Sequence, residues 1–284
     1  MDDALYLDGR ALTALPDSVR GMRELRHLDV RGNRLAALPG WLGELPALES
    51  LSIGENPLPA IPPTVTALTR LRRLYVHELG LEHVPDALGD LAELRVLDLG
   101  HNRLDALPPS FARLTRLEIL YLADNRLAEV PEPVRHLREL RYLGATDNGL
   151  RAVPAWIGEL DRLVELRLYR NALTALPASI GRLRELRELH LLSNRIAELP
   201  ETIGELGELR HLDLRANALA RVPASIGALA RLRVLDLRAN RLEELPDAVG
   251  DLPALEKLDL RWNRFLDPPP PALRLRERGC VVLT

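Results

Sequence analysis

The chain has 284 residues, 46% of them hydrophobic, which is enough for one or two domains with a substantial core. Its net charge of −3 argues against nucleic acid or an anionic membrane surface as the partner. The single cysteine, Cys280, excludes an internal disulfide, and no stretch approaches the roughly 20 apolar residues of a membrane span. Because the acidic segment Met1–Ala4 also lacks the apolar run of a signal peptide, we expect a cytoplasmic monomer.

An asparagine recurs at intervals of 23 residues, and one slot of the series, at Leu79, lacks it. One period before the first asparagine lies Arg10, and the frame runs from Leu5 to the C-terminus without an insertion. A constant period over the whole chain predicts thirteen strand turns in one domain, residues 1–284, with an N-terminal edge turn at 1–10 and a C-terminal cap at 268–284. The asparagines of the series are Asn33, Asn56, Asn102, Asn125, Asn148, Asn171, Asn194, Asn217, Asn240 and Asn263.

Each period has a strand half and a helical half. In residues 211–217 apolar and polar residues alternate, as in a strand with one buried face. In residues 222–232 apolar residues are spaced by three and four, and Pro223 suits the first position of a short helical turn. We therefore predict short helices after each proline and parallel strands centred on residues 6, 29, 52, 75, 98, 121, 144, 167, 190, 213, 236 and 259.

The repeat reads L-x-x-L-x-L-x-x-N-x-L-x-x-L-P-x-x-I-G-x-L and resembles the leucine-rich-repeat family over residues 4–284. More narrowly, it is similar to the 23-residue class of Ras-binding scaffold proteins, plant intracellular repeat proteins and bacterial cytosolic proteins. The resemblance implies an α/β fold, a right-handed leucine-rich-repeat solenoid shaped as a horseshoe. A parallel sheet would line its concave side, short α or 3-10 helices its convex side, and the asparagine side chains would bond buried backbone groups of adjacent turns.

The C-terminal segment predicts a cap for the exposed end of the core. A run of four prolines, 268–271, leads into a helical stretch in which Arg278 takes a slot that is leucine in every internal turn. Gly279 suits the C-cap of this helix. A last strand is predicted at residues 281–283.

No motif indicates an enzyme, a cofactor or a metal site. The segment from His77 to His83 resembles a metal motif but has the wrong spacing for a helical zinc site. Cys280 fits a capping position better than a nucleophile, because no catalytic domain accompanies it. The alternative function is a small-ligand binder or enzyme that uses His101, Asp124 and Tyr121.

Three slots of the repeat, six, four and two residues before the asparagine, are predicted to project from the concave face, and the residue just before the asparagine lies on its rim. All five tyrosines occupy these slots. Tyrosine favours strands for local reasons, but these slots face solvent and tyrosine is common at interface hot spots. The pattern favours a non-catalytic scaffold that binds a protein partner. The tyrosines are Tyr6, Tyr75, Tyr121, Tyr142 and Tyr169.

The irregular middle of this face holds the candidate partner-binding residues. The C-terminal turns carry a regular ladder of Asp and Arg, such as Asp213 with Arg215, which can pair in place. Gly100 and Ala123, flanked by tyrosines, predict a shallow pocket. The acidic rim, from Glu55 to Asp147, either attracts a basic partner or extends into screening solvent. The candidates are Tyr75, His77, Glu78, His101, Tyr121, Asp124, Tyr142, Asp147, Arg167, Tyr169 and Arg170.

Overall fold

The computed structural model describes residues 3–284, so Met1 and Asp2 of the predicted edge turn lie outside the described residues. Each repeat forms one three-residue strand. The strands are β1 (Ala4–Tyr6), β2 (His27–Asp29), β3 (Ser50–Ser52), β4 (Arg73–Tyr75), β5 (Val96–Asp98), β6 (Ile119–Tyr121), β7 (Tyr142–Gly144), β8 (Glu165–Arg167), β9 (Glu188–His190), β10 (His211–Asp213), β11 (Val234–Asp236), β12 (Lys257–Asp259) and β13 (Val281–Leu283).

A short helix follows each strand except the last. Three of them are α-helices: α1 (Pro63–Thr66), α2 (Asp247–Gly250) and α3 (Pro270–Glu277). The others are five-residue 3-10 helices, at Asp17–Gly21, Gly40–Glu44, Asp86–Asp90, Pro109–Arg113, Glu132–His136, Ala155–Glu159, Ala178–Arg182, Glu201–Glu205 and Ala224–Ala228.

The chain divides into two compact units. Unit 1 comprises Met1–Leu127 and Pro131–Leu140, and unit 2 comprises Ala128–Val130 and Arg141–Thr284. Strands β1 to β6 form a parallel sheet in chain order in unit 1, and β7 to β13 do so in unit 2. The predicted parallel pairing is confirmed within each unit, whereas one domain over residues 1–284 stays a prediction.

Two details of the predicted repeat are wrong by one residue. Strands β1 to β12 each end at the residue predicted as the strand centre; β2, for example, ends at Asp29. One more hydrogen bond joins the turns beyond the strand end, from the Val30 N–H to the Ser52 carbonyl at 2.9 Å, but the residues there no longer belong to the strand.

The prolines occupy the N-cap of each helix and not its first helical position: Pro223, for example, has φ −67° and ψ 147°. Its fixed φ suits both places, and its carbonyl accepts the first helical hydrogen bond from Ile226 at 3.1 Å.

Each turn buries its own set of aliphatic side chains. In the third turn Leu51, Ile53, Leu58, Val65 and Leu68 are all at most 4% exposed. Full burial of such a side chain contributes roughly 1.5–3 kcal/mol of transfer free energy. The strand slots between the buried leucines stay partly accessible, so each sheet has a core face and an open face.

The asparagines form the predicted ladder between turns. Asn194 is buried, its amide donates to the carbonyls of Leu168 and Leu191, both at 2.9 Å, and its Oδ1 accepts the Leu173 N–H at 3.0 Å. The residue just before the asparagine is left-handed in every turn from Gly9 to Trp262, with φ between +51° and +65°. The side-chain bonds of the ladder offset the cost of this backbone conformation.

The turn at Leu79, which lacks an asparagine, differs from the regular turns in its backbone. Gly80, the residue after the missing asparagine, adopts φ +70°. In the other described turns the residue at this position has positive φ only at Ala11, which follows Arg10, the other described slot that lacks asparagine. Leu79 itself is half-buried. The Leu58 N–H, which an asparagine at this slot would accept, has no hydrogen-bond partner among residues 3–284.

The last repeat has 24 residues instead of 23, because Lys257 pairs with Val281. The expectation of a frame without insertion is therefore wrong at its final step. The extra residue is accommodated in α3, which is longer than the other helices and ends in a Schellman motif: Cys280 N–H donates to the Leu275 carbonyl at 3.0 Å, and Gly279 has φ +89°. This helix lies in the segment predicted as a cap, and the Arg278 guanidinium donates to the Gly250 carbonyl at 2.9 Å.

Candidate partner-binding face

The open face of unit 1 contains a cavity of about 340 Å³. Its floor is formed by Ser50 and Ser52 of β3, and the next projecting slot of the same turn holds a third small residue, Gly54. Tyr75 flanks the floor on one side and Tyr6, which is 61% exposed, on the other. The remaining lining residues are His27, Leu28, Asp29, Arg31 and Arg73.

The cavity is polar and carries more positive than negative charge. Arg31 lies 3.4 Å from Asp29 through Nε and Oδ2, whereas Arg73 is exposed at the cavity edge. The Ser52 hydroxyl is buried and has no hydrogen-bond partner in the described part of the chain. A buried hydroxyl without a partner is costly, so a ligand group that bonds it would be stabilised.

His77, a predicted site residue, is held beside this cavity by carboxylates on both sides. Its Nε2 lies 3.3 Å from Glu55 Oε1 and its Nδ1 lies 3.4 Å from Asp98 Oδ2. The contact with Asp98 is within ion-pair distance but lacks hydrogen-bond geometry. The ring covers Gly54, where an added Cβ would lie 2.8 Å from it. Interaction with Asp98 raises the pKa of His77 despite the opposing effect of burial, and Glu55 adds to the rise.

Three acidic rim residues, Glu55, Asp124 and Asp147, each lie within 4 Å of a histidine or arginine side chain. His101 Nδ1 lies 2.9 Å from Asp124 Oδ2, and in unit 2 Arg170 lies 3.3 Å from Asp147. The expected crowding of like charges is therefore relieved where a basic side chain occupies the adjacent turn, as with His77 beside Glu55. His101 and Asp124 are 54% and 63% exposed, so the alternative acid–base site lies in open solvent.

The other predicted residues of unit 1 lie on the same face. Tyr75 ends β4 and Tyr121 ends β6, both half-buried, and Glu78 is exposed on the rim. Gly100 is buried, and a Cβ there would lie 3.1 Å from Asp98 Oδ1. The cavity near Tyr75 includes neither Gly100 nor Ala123, so the pocket expected around these two stays a prediction.

The predicted residues of unit 2 begin with a tyrosine folded onto the sheet. The ring of Tyr142 lies across Gly144, where an added Cβ would be 2.8 Å from the hydroxyl. The Arg167 guanidinium carbon lies 5.8 Å from the centre of the same ring, and its Nε is paired with Glu165. Tyr169 is half-buried two residues farther on. The five residues assigned to this unit, Tyr142, Asp147, Arg167, Tyr169 and Arg170, thus share its open face and rim.

The Asp and Arg ladder of the C-terminal turns pairs in place, as predicted. Arg238 lies 2.6 Å from Asp236 and 3.2 Å from Asp259, and Arg261 lies 2.7 Å from Asp259. The Asp259 side chain is 1% exposed. Burial alone would raise the pKa of Asp259, but hydrogen bonds from Arg261 and the charge of Arg238 hold it below its usual value.

Cys280 adds no reactive group to the site. Cys280 is buried, and burial raises the pKa of its thiol, which keeps it protonated and poorly nucleophilic. Among the described residues, no helix combines the length and apolar character that crossing a membrane requires.

Sequence reasoning missed most of the cavity at the N-terminal end. Three successive small residues in the projecting slots of β3 were the available signal. It also missed a pair of histidines on unit 2, His190 and His211, whose ring centres lie 4.9 Å apart. Burial and the neighbouring His190 lower the pKa of His211.

Two family models match the chain. One, a leucine-rich repeat region, matches residues 177–267, and the other, a leucine rich repeat, matches residues 69–127 and 92–150. Together they cover more than half of the sequence. A comparison with curated proteins gives no significant match.

Solved structures share this architecture. A leucine-rich-repeat protein of Leptospira interrogans is 28% identical, with a TM-score of 0.74 over 96% of this chain and 82% of that one. The ectodomain of the Arabidopsis thaliana receptor kinase GASSHO1/SCHENGEN3, in complex with CASPARIAN STRIP INTEGRITY FACTOR 2, is 31% identical, with a TM-score of 0.74 over 88% of this chain and 34% of that one. An internalin of Listeria monocytogenes, 22% identical with a TM-score of 0.76 over 99% of this chain and 86% of that one, supports the fold alone.

The parallel strands and short helices agree with the architecture of these leucine-rich-repeat structures. Leucine-rich-repeat domains in general mediate protein–protein interactions and are typically not enzymes. The predicted fold class, an α/β leucine-rich-repeat solenoid, is confirmed, and the chain belongs to the leucine-rich-repeat proteins.

Proposed function

We propose that the chain is a non-catalytic scaffold that binds a protein partner on the open face of its sheet, in an intracellular signalling context suggested by its resemblance to Ras-binding scaffolds. The observation that carries the proposal is the cavity of about 340 Å³ on unit 1, which combines two tyrosines, two arginines and an unpaired buried hydroxyl. Aromatic and arginine side chains are the residues most often found at interface hot spots.

The chemistry of the cavity favours an acidic side chain of the partner. Arg31 is partly neutralised by Asp29, but Arg73 adds a second positive charge at the edge. A carboxylate between these guanidinium groups would accept charge-assisted hydrogen bonds, which are about twice as strong as neutral ones. It could also accept a hydrogen bond from the Ser52 hydroxyl, while Tyr6 and Tyr75 pack against the apolar part of the bound segment.

The candidates outside the cavity form two further parts of the proposal, one on each unit. On unit 1, Tyr75 and His77 continue the face from the cavity toward the rim at Glu78, His101 and Asp124. On unit 2, Tyr169 is the proposed anchor, because Tyr142 and Arg167 already contact each other. Large rigid tyrosine side chains lose little conformational entropy when they bind, which suits them to this role.

Site-specific photo-crosslinking tests the proposal. A photoreactive residue is placed at Asp8, exposed on the open face near the cavity, or at Ala87, exposed in the helix Asp86–Asp90, and each protein is irradiated in an extract of the native host. We expect a protein adduct from position 8 and not from position 87. The adduct should disappear when Arg73→Glu is added. Equal labelling from both positions, or labelling that survives Arg73→Glu, would contradict the proposal.

A further inference from the structure

Two histidines on adjacent strands of unit 2 face each other on its open side. His190 ends β9 and His211 begins β10, and their ring centres are 4.9 Å apart with the planes tilted by 49°. The parallel register places Asp213 opposite His190, and His211 opposite Glu188. Each imidazole therefore has a carboxylate directly across from it.

The donor atoms of these side chains converge. One donor atom each from His190, His211 and Asp213 lies within 4.8 Å of the others, and the same holds for Glu165, Glu188 and His190. His190 Nε2 is 3.0 Å from Glu188 Oε2. The side chains of His190 and Asp213 are only 16% and 10% exposed, so packing limits the directions in which they can point.

Asp213 keeps one oxygen available for a ligand. Its Oδ1 accepts the backbone N–H of Arg215 at 3.1 Å, which fixes the carboxylate plane. Its Oδ2 has only a longer contact with the Arg215 guanidinium, at 3.6 Å. A cation bound at Oδ2 would compete with that weak ion pair, and the Arg215 side chain, 38% exposed, would have to turn away from it.

We propose that His190, His211 and Asp213 bind a divalent transition-metal ion of the zinc type, with Glu188 as a fourth ligand. Zinc takes imidazole nitrogen at about 2.0–2.1 Å and carboxylate oxygen at about 2.0–2.2 Å, so small side-chain rotations would close the site. Two imidazoles favour zinc, copper or nickel over magnesium and calcium, which prefer oxygen ligands. This site is independent of the cavity on unit 1 and of the proposed partner binding.

The chain contains a matched control for this arrangement. The tripeptide His-Leu-Asp occurs at 211–213 and again at 27–29, in the same repeat slots. Asp29 also lies near an arginine, Arg31, at 3.4 Å. The preceding strand, however, places Tyr6 opposite Asp29, where β9 places His190 opposite Asp213.

Calorimetric titration with ZnCl₂ tests the proposal. The protein is untagged and carries Cys280→Ser, which removes the only thiol. We expect one zinc ion bound per chain in this background and in His27→Ala, and affinity reduced by about tenfold or more in His190→Ala and in His211→Ala. MgCl₂ at the same concentrations should give no binding heat.

A second readout separates metal binding from loss of folding. Zinc should raise the Tm of the background protein and of His27→Ala, and should leave the Tm of His211→Ala unchanged. Should an alanine variant fail to fold, His190→Gln and His211→Gln keep the size of the side chain and are titrated instead. Unchanged zinc affinity in the folded histidine variants, or an equal loss in His27→Ala, would overturn the proposal.

Discussion

The backbone N–H of Leu79 donates a hydrogen bond to Oδ1 of Asn102, 3.2 Å away. The same oxygen accepts the Leu81 N–H at 3.0 Å, so the asparagine of the following turn serves two donors where the series is interrupted. An identical arrangement occurs at Arg10, whose N–H donates to Asn33 at 3.0 Å. The next asparagine thus accepts the backbone N–H of the residue that replaces asparagine, while the Leu58 N–H stays without a partner among residues 3–284.

Leu79→Asn should stabilise the protein. The new side chain could accept the unpaired Leu58 N–H, and one added hydrogen bond contributes about 0.5–1.5 kcal/mol. Urea unfolding measures the change, and Leu79→Ala is the control because it removes the leucine without supplying an amide. Should Leu79→Asn prove no more stable than Leu79→Ala, the left-handed turn at Gly80 keeps the asparagine out of the ladder.

Asn194→Leu should destabilise the protein by about 1–3 kcal/mol, the usual cost of a buried unsatisfied donor. The carbonyls of Leu168 and Leu191 keep a bond from Asn171 and Asn217, but the Leu173 N–H loses its acceptor. Denaturant unfolding checks this, with Asn194→Asp as the comparison because it retains an acceptor. Wild-type stability in the leucine variant would show that the ladder is dispensable inside the regular array.

Tyr75→Ala and Tyr169→Ala should each weaken partner binding by about 2 kcal/mol or more, the threshold for a hot spot. Both side chains project from the open face, so the free energy of unfolding should change little. Titration of each variant against the crosslinked partner measures the loss, and Lys257→Ala, exposed on β12, is the control. Marked loss of stability in the tyrosine variants would show that these side chains are structural.

His77 should stabilise the protein more at low pH than at high pH. Interaction with Asp98 raises the folded-state pKa of His77 above the unfolded value of about 6.5. Its contribution is therefore complete below that unfolded value and is lost as pH rises through the folded pKa. The difference in unfolding free energy between wild type and His77→Asn should therefore fall as pH rises above about 6.5. A difference that grows with pH would reverse the assignment, and exposed His83→Asn controls for removal of a histidine.

Asp259→Asn should lower stability by about 1.5–3 kcal/mol at neutral pH, the contribution of hydrogen bonds to a charged group. The carboxylate is 1% exposed and is bonded to Arg261 and Arg238. Because the pKa of Asp259 is lowered on folding, its contribution is present above the unfolded value and is lost as pH falls through the folded pKa. Unfolding at several pH values should show the two proteins converge in acid, which Asp267→Asn, exposed, should not reproduce.

The repeat alone determined the strands and their parallel order, and the resemblance to the leucine-rich-repeat family implied the role of the asparagines. A side chain that bonds two neighbouring turns must recur at one fixed spacing. The period of 23 residues therefore also predicts which residues of adjacent strands pair. The pattern failed at the last repeat, where Val281 and Val282 fit the strand in either of two registers, and only pairing with Lys257 selects between them.

Tertiary structure decided which projecting side chains meet. Side-chain rotamers on the open face depend on what the neighbouring strands permit. Examples are the position of Tyr142 over Gly144, the contact of His77 with Asp98 and the approach of His190 to His211. Repeat slots fix only the face on which a side chain lies. The direction it takes there depends on the size and charge of residues 21 to 25 positions away, because those are its neighbours across the sheet.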